Sequence, residues 1–364
     1  MKKRVFSLLL ALTLLLCALP LPVHAAANEI TVYNWGQYIS DGTDESLDVI
    51  QAFEEETGIK VNYQTAESNE ALYSLLKTGA GDYDVIVPSD YMIARLIDEG
   101  MLAELNYDNI PNYEKIGEQY KSLSFDPENK YTVPYTWGTL GIIYNSTMVD
   151  GDIDSWDAMF DEKYAGNVLM IRNSRDALAA ALLDLGYDIN TTDEAQIREA
   201  YELLADAKSK GVYQSFVMDE VFGKMEGSNA AIAMYYAGDY LTMLDNNPDL
   251  KFVVPKEGSN WFVDAMCVLK TAQHKEEAEE WINFIASTES NLANMDYIGY
   301  ASPNLEALEG YPAYYEETYG EPLDEERYEI MAAPDDVLAR CELYTNLPAD
   351  TLTLYNDLWT ELGI

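Results

Sequence analysis

Alternating apolar and polar residues predict a repeating strand–helix order in the first part of the chain. Residues 30–38 begin as a β-branched, aromatic strand and run into Trp35-Gly36-Gln37-Tyr38, which is typical of a loop at the carboxyl end of a strand. Further strands are predicted at 59–63 and 84–89, and the second is apolar throughout, as in a parallel sheet buried on both faces. Apolar spacing of three and four residues with polar caps predicts helices at 44–56 (capped by Asp44), 68–79 and 90–98. This order predicts an α/β lobe with a parallel core.

The rest of the chain also mixes helices and strands. Residues 131–144 are rich in strand-forming residues, and Gly138 and Gly141 within them would allow close backbone approach, so we expect this segment to cross into a second lobe. The length of the chain likewise favours two domains. The further predictions are a strongly amphipathic helix at 173–185, helices at 194–208 and 276–285, and strands at 230–236, 252–255 and 261–269.

The N-terminal segment has a different pattern, with a basic start, an apolar run from Val5 to Leu19 and small residues at Ala25-Ala26-Ala27. This is a secretory signal, which we place at residues 1–25, and its apolar run is too short to be a spanning helix. The mature protein is expected to be exported, to the periplasm or the outer face of the cytoplasmic membrane. Cys17 follows Leu16 where lipoprotein signals prefer a small residue, so lipidation is the less favoured alternative.

The composition is strongly acidic, with 64 Asp and Glu residues against 22 Lys and Arg residues and a formal charge of −42. The predicted signal carries basic but no acidic residues, so its removal makes the mature chain more negative still. Such a field repels nucleic acid and attracts cations, although solubility alone would also explain it. Hydrophobic residues at 48% and aromatic residues at 12% exclude an acidic disordered chain.

Two cysteines, Cys267 and Cys341, and one histidine, His274, remain after the signal. Both cysteines lie in apolar or aromatic sequence, which favours free buried thiols over a bridge. One histidine in a polar run excludes the usual His-based metal site and a His-based catalytic triad. Residues 150–154 begin like a calcium loop but lack its later Gly and Glu, which favours a solvated turn. We therefore expect no metal and no cofactor.

Aromatic residues recur beside acids where predicted strands end. The segments with this pattern are Ser89-Asp90-Tyr91, 173–176, 235–239, 261–264 and Gly299-Tyr300. Taken alone, each acid is explained as a helix cap and each aromatic as a half-buried core residue. Asp176 suits the positive end of a helix dipole. Asp264 has no such explanation, because it lies between Val263 and Ala265, where an unpaired carboxylate would be costly.

Asp264 therefore needs a cation, and few basic residues lie near it in the sequence. A cleft of aromatic faces and carboxylates suits an organic cation, because rings hold methylene segments and attract ammonium groups while carboxylates accept charge-assisted hydrogen bonds. The spacing of the carboxylates would then match the spacing of the ammonium groups. This pattern indicates a polyamine site.

The chain resembles the spermidine/putrescine-binding proteins that deliver polyamines to bacterial ABC transporters. The resemblance covers nearly the whole mature chain and rests on blocks in the family's order: Tyr33-Asn34-Trp35, 54–58, 67–70, 83–89, 134–138, 255–258, Gly299-Tyr300 and 302–305. It implies an α/β, two-lobed type II periplasmic-binding-protein fold whose discontinuous lobes are joined by crossing strands. On this basis we expect lobe 1 at 28–138 plus 263–308 and lobe 2 at 139–262 plus 309–364.

The resemblance also implies the ligand contacts. They are Trp35, Tyr38, Ser89, Tyr91, Asp176, Tyr236, Asp239, Phe262, Asp264, Tyr300 and Thr345. In this hypothesis the aromatics sandwich the polyamine chain, and the three Asp residues neutralise its ammonium groups. Asn173 and Gln37 stand where spermidine-type members carry acidic side chains, whereas Asp239 matches putrescine-type members, so the preferred amine stays open.

The function implied is non-enzymatic. We expect a monomer whose partners are the polyamine and the membrane permease subunits of an ABC transporter, with no nucleic acid. A type II protein for a sugar or for ferric iron is an alternative, and the pairs Tyr235-Tyr236 and Tyr314-Tyr315 keep iron open. Further alternatives are a secreted glycosidase with paired carboxylates and a sensory or adhesive surface protein of the same fold.

Overall fold

A mixed sheet is the centre of the computed structural model, which describes residues 29–43, 46–79 and 81–364. The predicted signal peptide, Cys17 and Asp44 lie outside these residues. The strands of the described part are β1 (Glu29–Trp35), β2 (Lys60–Ala66), β3 (Val85–Ile86), β4 (Thr132–Asn145), β5 (Val168–Ile171), β6 (Tyr213–Val217), β7 (Ile232–Tyr236), β8 (Leu250–Val253), β9 (Ser259–Val268) and β10 (Cys341–Glu342). Their order in the sheet is β2-β1-β3-β9-β4-β7-β5-β6, with β8 beside β4 and β10 beside β9.

Helices cover this sheet and follow several of its strands. They are α1 (Val49–Thr57), α2 (Asn69–Thr78), α3 (Asp90–Asp98), α4 (Ser174–Asp184), α5 (Glu194–Ser209), α6 (Glu220–Glu226), α7 (Ala237–Asn246), α8 (Lys275–Ile285), α9 (Thr288–Ile298), α10 (Leu305–Tyr319), α11 (Glu325–Met331), α12 (Asp335–Leu338) and α13 (Ala349–Leu362). Short 3₁₀ turns occupy parts of 107–120 and 156–164.

Two long strands, β4 and β9, run through both halves of the sheet. The first part of β4 pairs with β9, and its second part, from Leu140 to Tyr144, pairs with β7. The carboxyl end of β9 pairs with β3. Parallel strands β2, β1 and β3 therefore lie on one side of β4 and β9, and parallel strands β7, β5 and β6 on the other. The expected lobe boundaries, 138/139 and 262/263, fall within these two strands and stay a prediction.

The predicted strand–helix order of the first hundred residues is confirmed, with corrected boundaries. Ser68 caps α2 by accepting from the Ala71 N–H, and Gly79 ends it in the left-handed conformation. The first helix begins at Val49 rather than at residue 44, because the Asp48 carboxylate accepts from the Gln51 N–H at 2.8 Å. β3 is shorter than the predicted 84–89, although the N–H groups just outside it still donate to β1.

The helix at 174–184 corrects another prediction. α4 is buried on nearly every side from Arg175 to Leu182, rather than strongly amphipathic, because it packs against β9, α5 and α13 at once. Three strands, β5, β6 and β10, and several helices, α6, α7 and those from α9 to α12, have no counterpart among the predicted elements. Gly141 does allow a close approach, since a Cβ there would lie 2.5 Å from the Phe252 ring and the Val253 carbonyl oxygen.

Cys267 and Cys341 are free and buried, as predicted. Within the described ranges, no helix has both the length and the apolar character needed to cross a membrane.

Candidate ligand-binding site

A cavity of about 350 Å³ lies where four strands of the sheet end. Trp35 ends β1, Ser89 follows β3, Asn173 follows β5 and Tyr236 ends β7, and all of them line the cavity. β1 and β3 are parallel neighbours, and so are β5 and β7. Ligands of open α/β sheets bind outside the carboxyl ends of the strands, and the volume is within the usual range of small-molecule sites.

Four aromatic rings form a continuous chain along the cavity. The Phe262 ring lies 5.5 Å from that of Tyr236 and 5.9 Å from that of Tyr300, measured between centroids. Tyr300 in turn meets Tyr38 edge to face at 5.3 Å. All four residues line the cavity. Their rings offer apolar faces to methylene groups and a favourable quadrupole to ammonium groups.

Two glycines make room for the Tyr300 ring. A Cβ on Gly238 would lie 2.3 Å from Cδ2 of Tyr300, and a Cβ on Gly138 would lie 3.0 Å from Cδ1. The ring is therefore held between the first turn of α7 and the crossing strand β4. Any larger residue at 238 would displace it from its place beside the cavity.

Asp264 reaches the cavity from the middle of β9. Its backbone pairs with Thr136 of β4 on one side and forms an isolated bridge with Ser89 on the other. The side chain is 3% exposed, and its Oδ2 accepts from the Trp35 Nε1–H and from the Tyr38 hydroxyl, each at 3.0 Å. Oδ1 has no partner among the described residues. Burial raises the pKa of Asp264 to about 6, although interactions with the Ser89, Tyr38 and Trp35 side chains lower it.

Asp176 is the third residue of α4, which Asn173 caps by accepting from the N–H groups of Arg175 and Asp176. The carboxylate is 2% exposed; Oδ2 accepts from the Tyr236 hydroxyl at 2.7 Å and Oδ1 from the Tyr344 hydroxyl at 3.0 Å. Burial raises the pKa of Asp176 to about 6 despite these two donors. Both oxygens of this acid are therefore held in place before any ligand arrives.

Asp239 occupies the same position in α7, as its third residue. Its Oδ2 accepts from the Tyr300 hydroxyl at 2.8 Å. Burial raises the pKa of Asp239 to about 7, and the charge of Asp219 adds to the effect. β5–α4 and β7–α7 are thus two similar units that deliver an acid from the first turn of a helix to the same edge of the sheet.

The charge around the cavity is one-sided. Seven acidic side chains line it, and among the lining residues that the structure describes the one basic side chain is Arg172. In the described part of the chain, no group of three or more His, Cys, Asp or Glu side chains is placed to hold a metal ion. The acids around the cavity therefore do not converge on one point. The geometry thus suits an extended cation with separated charges better than a compact one.

Comparison with known proteins agrees with this geometry. The family model of bacterial extracellular solute-binding proteins matches residues 48–320, which is most of the chain. The chain belongs to this family.

Named relatives of this solute-binding protein are similar over most of their length. The spermidine/putrescine-binding periplasmic protein of Salmonella typhimurium is 33% identical over 287 residues, which are 78% of this chain and 80% of the relative. Two solved structures are also similar. A Listeria monocytogenes protein described provisionally as a spermidine/putrescine ABC transporter has a TM-score of 0.84 at 37% identity, covering 93% of this chain and 99% of its own. The spermidine/putrescine substrate-binding protein PotD of Streptococcus pneumoniae has a TM-score of 0.75 at 35% identity, covering 92% and 98%. The expected type II fold is confirmed.

Ten of the eleven residues predicted as ligand contacts line the cavity of this solute-binding protein. They are Trp35, Tyr38, Ser89, Tyr91, Asp176, Tyr236, Asp239, Phe262, Asp264 and Tyr300. Ser89 also accepts from the Asn69 side-chain amide at 3.0 Å, and Tyr91 donates to Glu70 at 2.9 Å, so both are fixed by neighbours on α2. Their contact with a ligand stays a prediction.

Thr345 is the exception and needs correction. It is exposed and lies outside the lining of the cavity, because its N–H and hydroxyl both donate to the Asn190 side chain and its carbonyl accepts from Arg175. The preceding residue, Tyr344, is buried and lines the cavity instead.

Sequence reasoning missed several charged lining residues. Asp90 stands between two predicted contacts, but its place at the start of a helix concealed any other role. Glu67, Asp219 and Glu220 also line the cavity and come from loops and helix starts that no periodic pattern marks. Asp219 lies against the loop after β1, since a Cβ on Gly36 would be 3.5 Å from its Oδ2. The strand-end rule could have found it only if β6 had been predicted.

Proposed function

We propose that this protein captures a polyamine, putrescine or spermidine, in the cavity and delivers it to an ABC permease. The observation that carries the proposal is the set of buried carboxylates around a chain of aromatic rings. Asp176 and Asp264 are almost fully buried, yet their hydrogen-bond donors are neutral phenol and indole groups rather than bases. A cation from outside the protein would complete such a site.

Each part of the ligand has a chemical counterpart in the cavity. Primary and secondary alkyl amines have pKa values near that of lysine and are ammonium ions at neutral pH. The methylene segments would pack on Phe262 and its neighbouring rings, and the ammonium groups would donate to Asp176, Asp239 and Asp264. The phenol and indole donors orient the carboxylates in advance, which limits the entropy lost when the ligand binds.

The relatives' names support the same class of ligand and the same transport role. A sugar would leave these carboxylates without cations, and an iron ion would need converging ligands. The location we propose is the periplasm or the outer face of the cytoplasmic membrane, after removal of residues 1–25. A monomeric state, the lack of catalytic activity and the lack of affinity for nucleic acid remain predictions.

Delivery requires a change of shape, for which we propose lobes at 28–138 plus 263–308 and at 139–262 plus 309–364. The two strands that cross between them, β4 and β9, would form the connection about which the lobes close. Ligand contacts from both lobes, such as Asp264 with Trp35 and Asp176 with Tyr236, would favour the closed form, and a permease would reopen it.

Isothermal titration of the mature protein with putrescine, spermidine, spermine and a neutral sugar, at two salt concentrations, tests the proposal. We expect one site for at least one polyamine, retained at the higher salt because the charges are buried, and no heat with the sugar. Weak, multi-site heat that is lost at the higher salt would contradict the proposal, because a strongly acidic surface alone would produce it.

A further inference from the structure

Asp90 is a buried acid for which the proposed site has no use so far. It is the first residue of α3, is 0% exposed and lines the cavity. Its Oδ1 accepts from the Tyr91 N–H at 2.6 Å, as expected of an acid at the start of a helix. Its Oδ2 is buried and has no partner among the described residues. Helix capping explains the first oxygen and leaves the second unexplained.

A second orphaned oxygen lies close by in the fold. Oδ1 of Asp264 is also buried without a partner in the described part of the chain. Ser89, the residue before Asp90, forms the β-bridge with Asp264, so the two acids come from paired segments. Leaving two carboxylate oxygens buried and unpaired is costly, and one donor between them would satisfy both.

The residues on either side of Asp90 in the chain contact the surroundings of Asp264 and of Asp176. On the other side of Asp90, the Tyr91 ring packs edge to face on the Tyr344 ring at 6.0 Å. The Tyr344 hydroxyl donates to Asp176. The residue before Asp90 thus pairs with Asp264, and the residue after it contacts Tyr344, the hydrogen-bond partner of Asp176.

Arg175 lies near Asp90 but is not its hydrogen-bond partner. Burial and the charges of Asp264 and Asp176 raise the pKa of Asp90 well above its usual range, and the Tyr91 N–H and Arg175 oppose this only in part. The Arg175 Nη atoms donate to the Thr345 carbonyl and to Asn190, and the guanidinium lies over the Tyr344 ring at 4.5 Å. It therefore holds the segment around Tyr344 in place, while its Nε, like Oδ2 of Asp90, is buried without a partner among the described residues.

We propose that Asp90 is a further ligand-binding residue that receives, together with Asp264, the interior ammonium group of a linear triamine. The inference rests on the proposed function and sharpens it from polyamines in general to triamines. A secondary ammonium carries two N–H donors on one nitrogen, which matches the two orphaned oxygens. The terminal ammonium groups would bind Asp176 and Asp239. A diamine has no interior nitrogen to place there.

Titration of the wild type and of Asp90→Asn with spermidine and putrescine tests this assignment. Asn keeps an oxygen for the Tyr91 N–H but removes the charge. We expect spermidine affinity to fall by about tenfold or more and putrescine affinity by less than about threefold, since a lost charge-assisted bond affects only the amine that makes it. The matched control is Asp350→Asn, an exposed acid in the first turn of α13, which should change neither affinity.

Thermal unfolding without ligand separates binding from a structural role. The melting temperature of Asp90→Asn should equal or exceed that of the wild type, because an unpaired buried carboxylate is removed. A lower melting temperature with unchanged affinities would overturn the inference. Asp90→Ser, which also suits a helix start, repeats the titration if the Asn variant does not fold.

The outcomes distinguish this inference from the proposed function. If the wild type binds neither amine, the proposed function fails and the inference with it. If the wild type binds spermidine and Asp90→Asn binds it equally well, or if both amines weaken equally, the inference alone fails.

Discussion

The acids at helix starts, Asp176 and Asp239, differ from Asp264 in the middle of β9. A helix start favours a negative charge by its dipole and free N–H groups, so an acid there has a structural role with or without a ligand. A strand interior offers neither, since its backbone groups pair with neighbouring strands. Asp264 depends on Trp35 and Tyr38 for one oxygen, and its other oxygen is unpaired in the described residues.

The difference indicates which acid depends most on the ligand. Removing a helix-start acid should lower both the stability of the fold and the affinity for the ligand. Removing the charge of Asp264 should not lower the stability of the unliganded protein, because one carboxylate oxygen is unpaired there. It should weaken ligand binding, because the ligand loses a buried charged partner. The strand acid is therefore expected to separate binding from stability most clearly.

Asp264→Asn should have the largest effect on binding. We expect spermidine affinity to fall by about 2–5 kcal/mol, because a buried partner of the ligand charge is lost. The unliganded protein should unfold at the same or a higher temperature. Calorimetric titration and thermal unfolding measure the two quantities, and unchanged affinity would contradict the assignment of Asp264 as a ligand-binding residue.

Gly238→Ala tests the unit formed by α7 and Tyr300. The new methyl group would overlap the Tyr300 ring, so the ring must move away from Asp239. We expect a loss of about 1–3 kcal/mol in the free energy of unfolding, with weaker ligand binding. Gly223→Ala is the matched control in α6, where a Cβ meets nothing within 4 Å and helix propensity favours Ala by about 0.5–1 kcal/mol. Equal effects of the two substitutions in chemical denaturation would contradict the packing argument.

The dependence on pH should distinguish Asp239 from Asp264. Burial raises their pKa values to about 7 and about 6, above the unfolded value of about 3.9. From about pH 4 to these values the folded state holds protons that the unfolded state has released, so these groups lower the stability of the unliganded protein as pH rises, by up to about 1.4 kcal/mol per group and pH unit.

Ligand binding should show the opposite trend. Carboxylates must be ionised to pair with ammonium groups, so affinity should rise from about pH 5 to about pH 7 and then level off. Asp239→Asn should remove the part of this rise near pH 7, and Asp264→Asn should reduce the part near pH 6, to which Asp176 also contributes. Titrations across this range measure it, and an affinity independent of pH would contradict the pKa directions.

Tyr344→Phe and Tyr300→Phe provide the smallest test. Asp176 has two phenol donors, whereas Asp239 has one, so the loss of Tyr300's hydroxyl should affect binding more than the loss of Tyr344's. We expect changes of about 0.5–1.5 kcal/mol, the usual net value of a single hydrogen bond. A larger loss from Tyr344→Phe would show that the donors do not act separately.

Local patterns predicted much of the first hundred residues, because their elements are short units with caps and clear apolar spacing. Ser68 and Gly79 enclose α2 in the sequence and in the structure. The same approach placed the first helix start at Asp44 instead of Asp48, since both acids suit a cap and only packing chooses between them. It also predicted an amphipathic α4, whereas the helix is buried against three neighbours and has no exposed polar face over most of its length.

The sequence by itself determined the acidic, aromatic character of the chain, the placement of Asp264 in an apolar strand, and the family to which these residues belong. Tertiary structure alone decided that Tyr344 rather than Thr345 lines the cavity, and that Asp90 and Asp264 each keep a buried oxygen without a partner among the described residues. The physical reason is that propensity, capping and apolar spacing act over a few residues, whereas the cavity is formed by strand ends that are distant in the chain. Which side chains share that space, and which oxygens are left without a partner, depends on how those ends pack together.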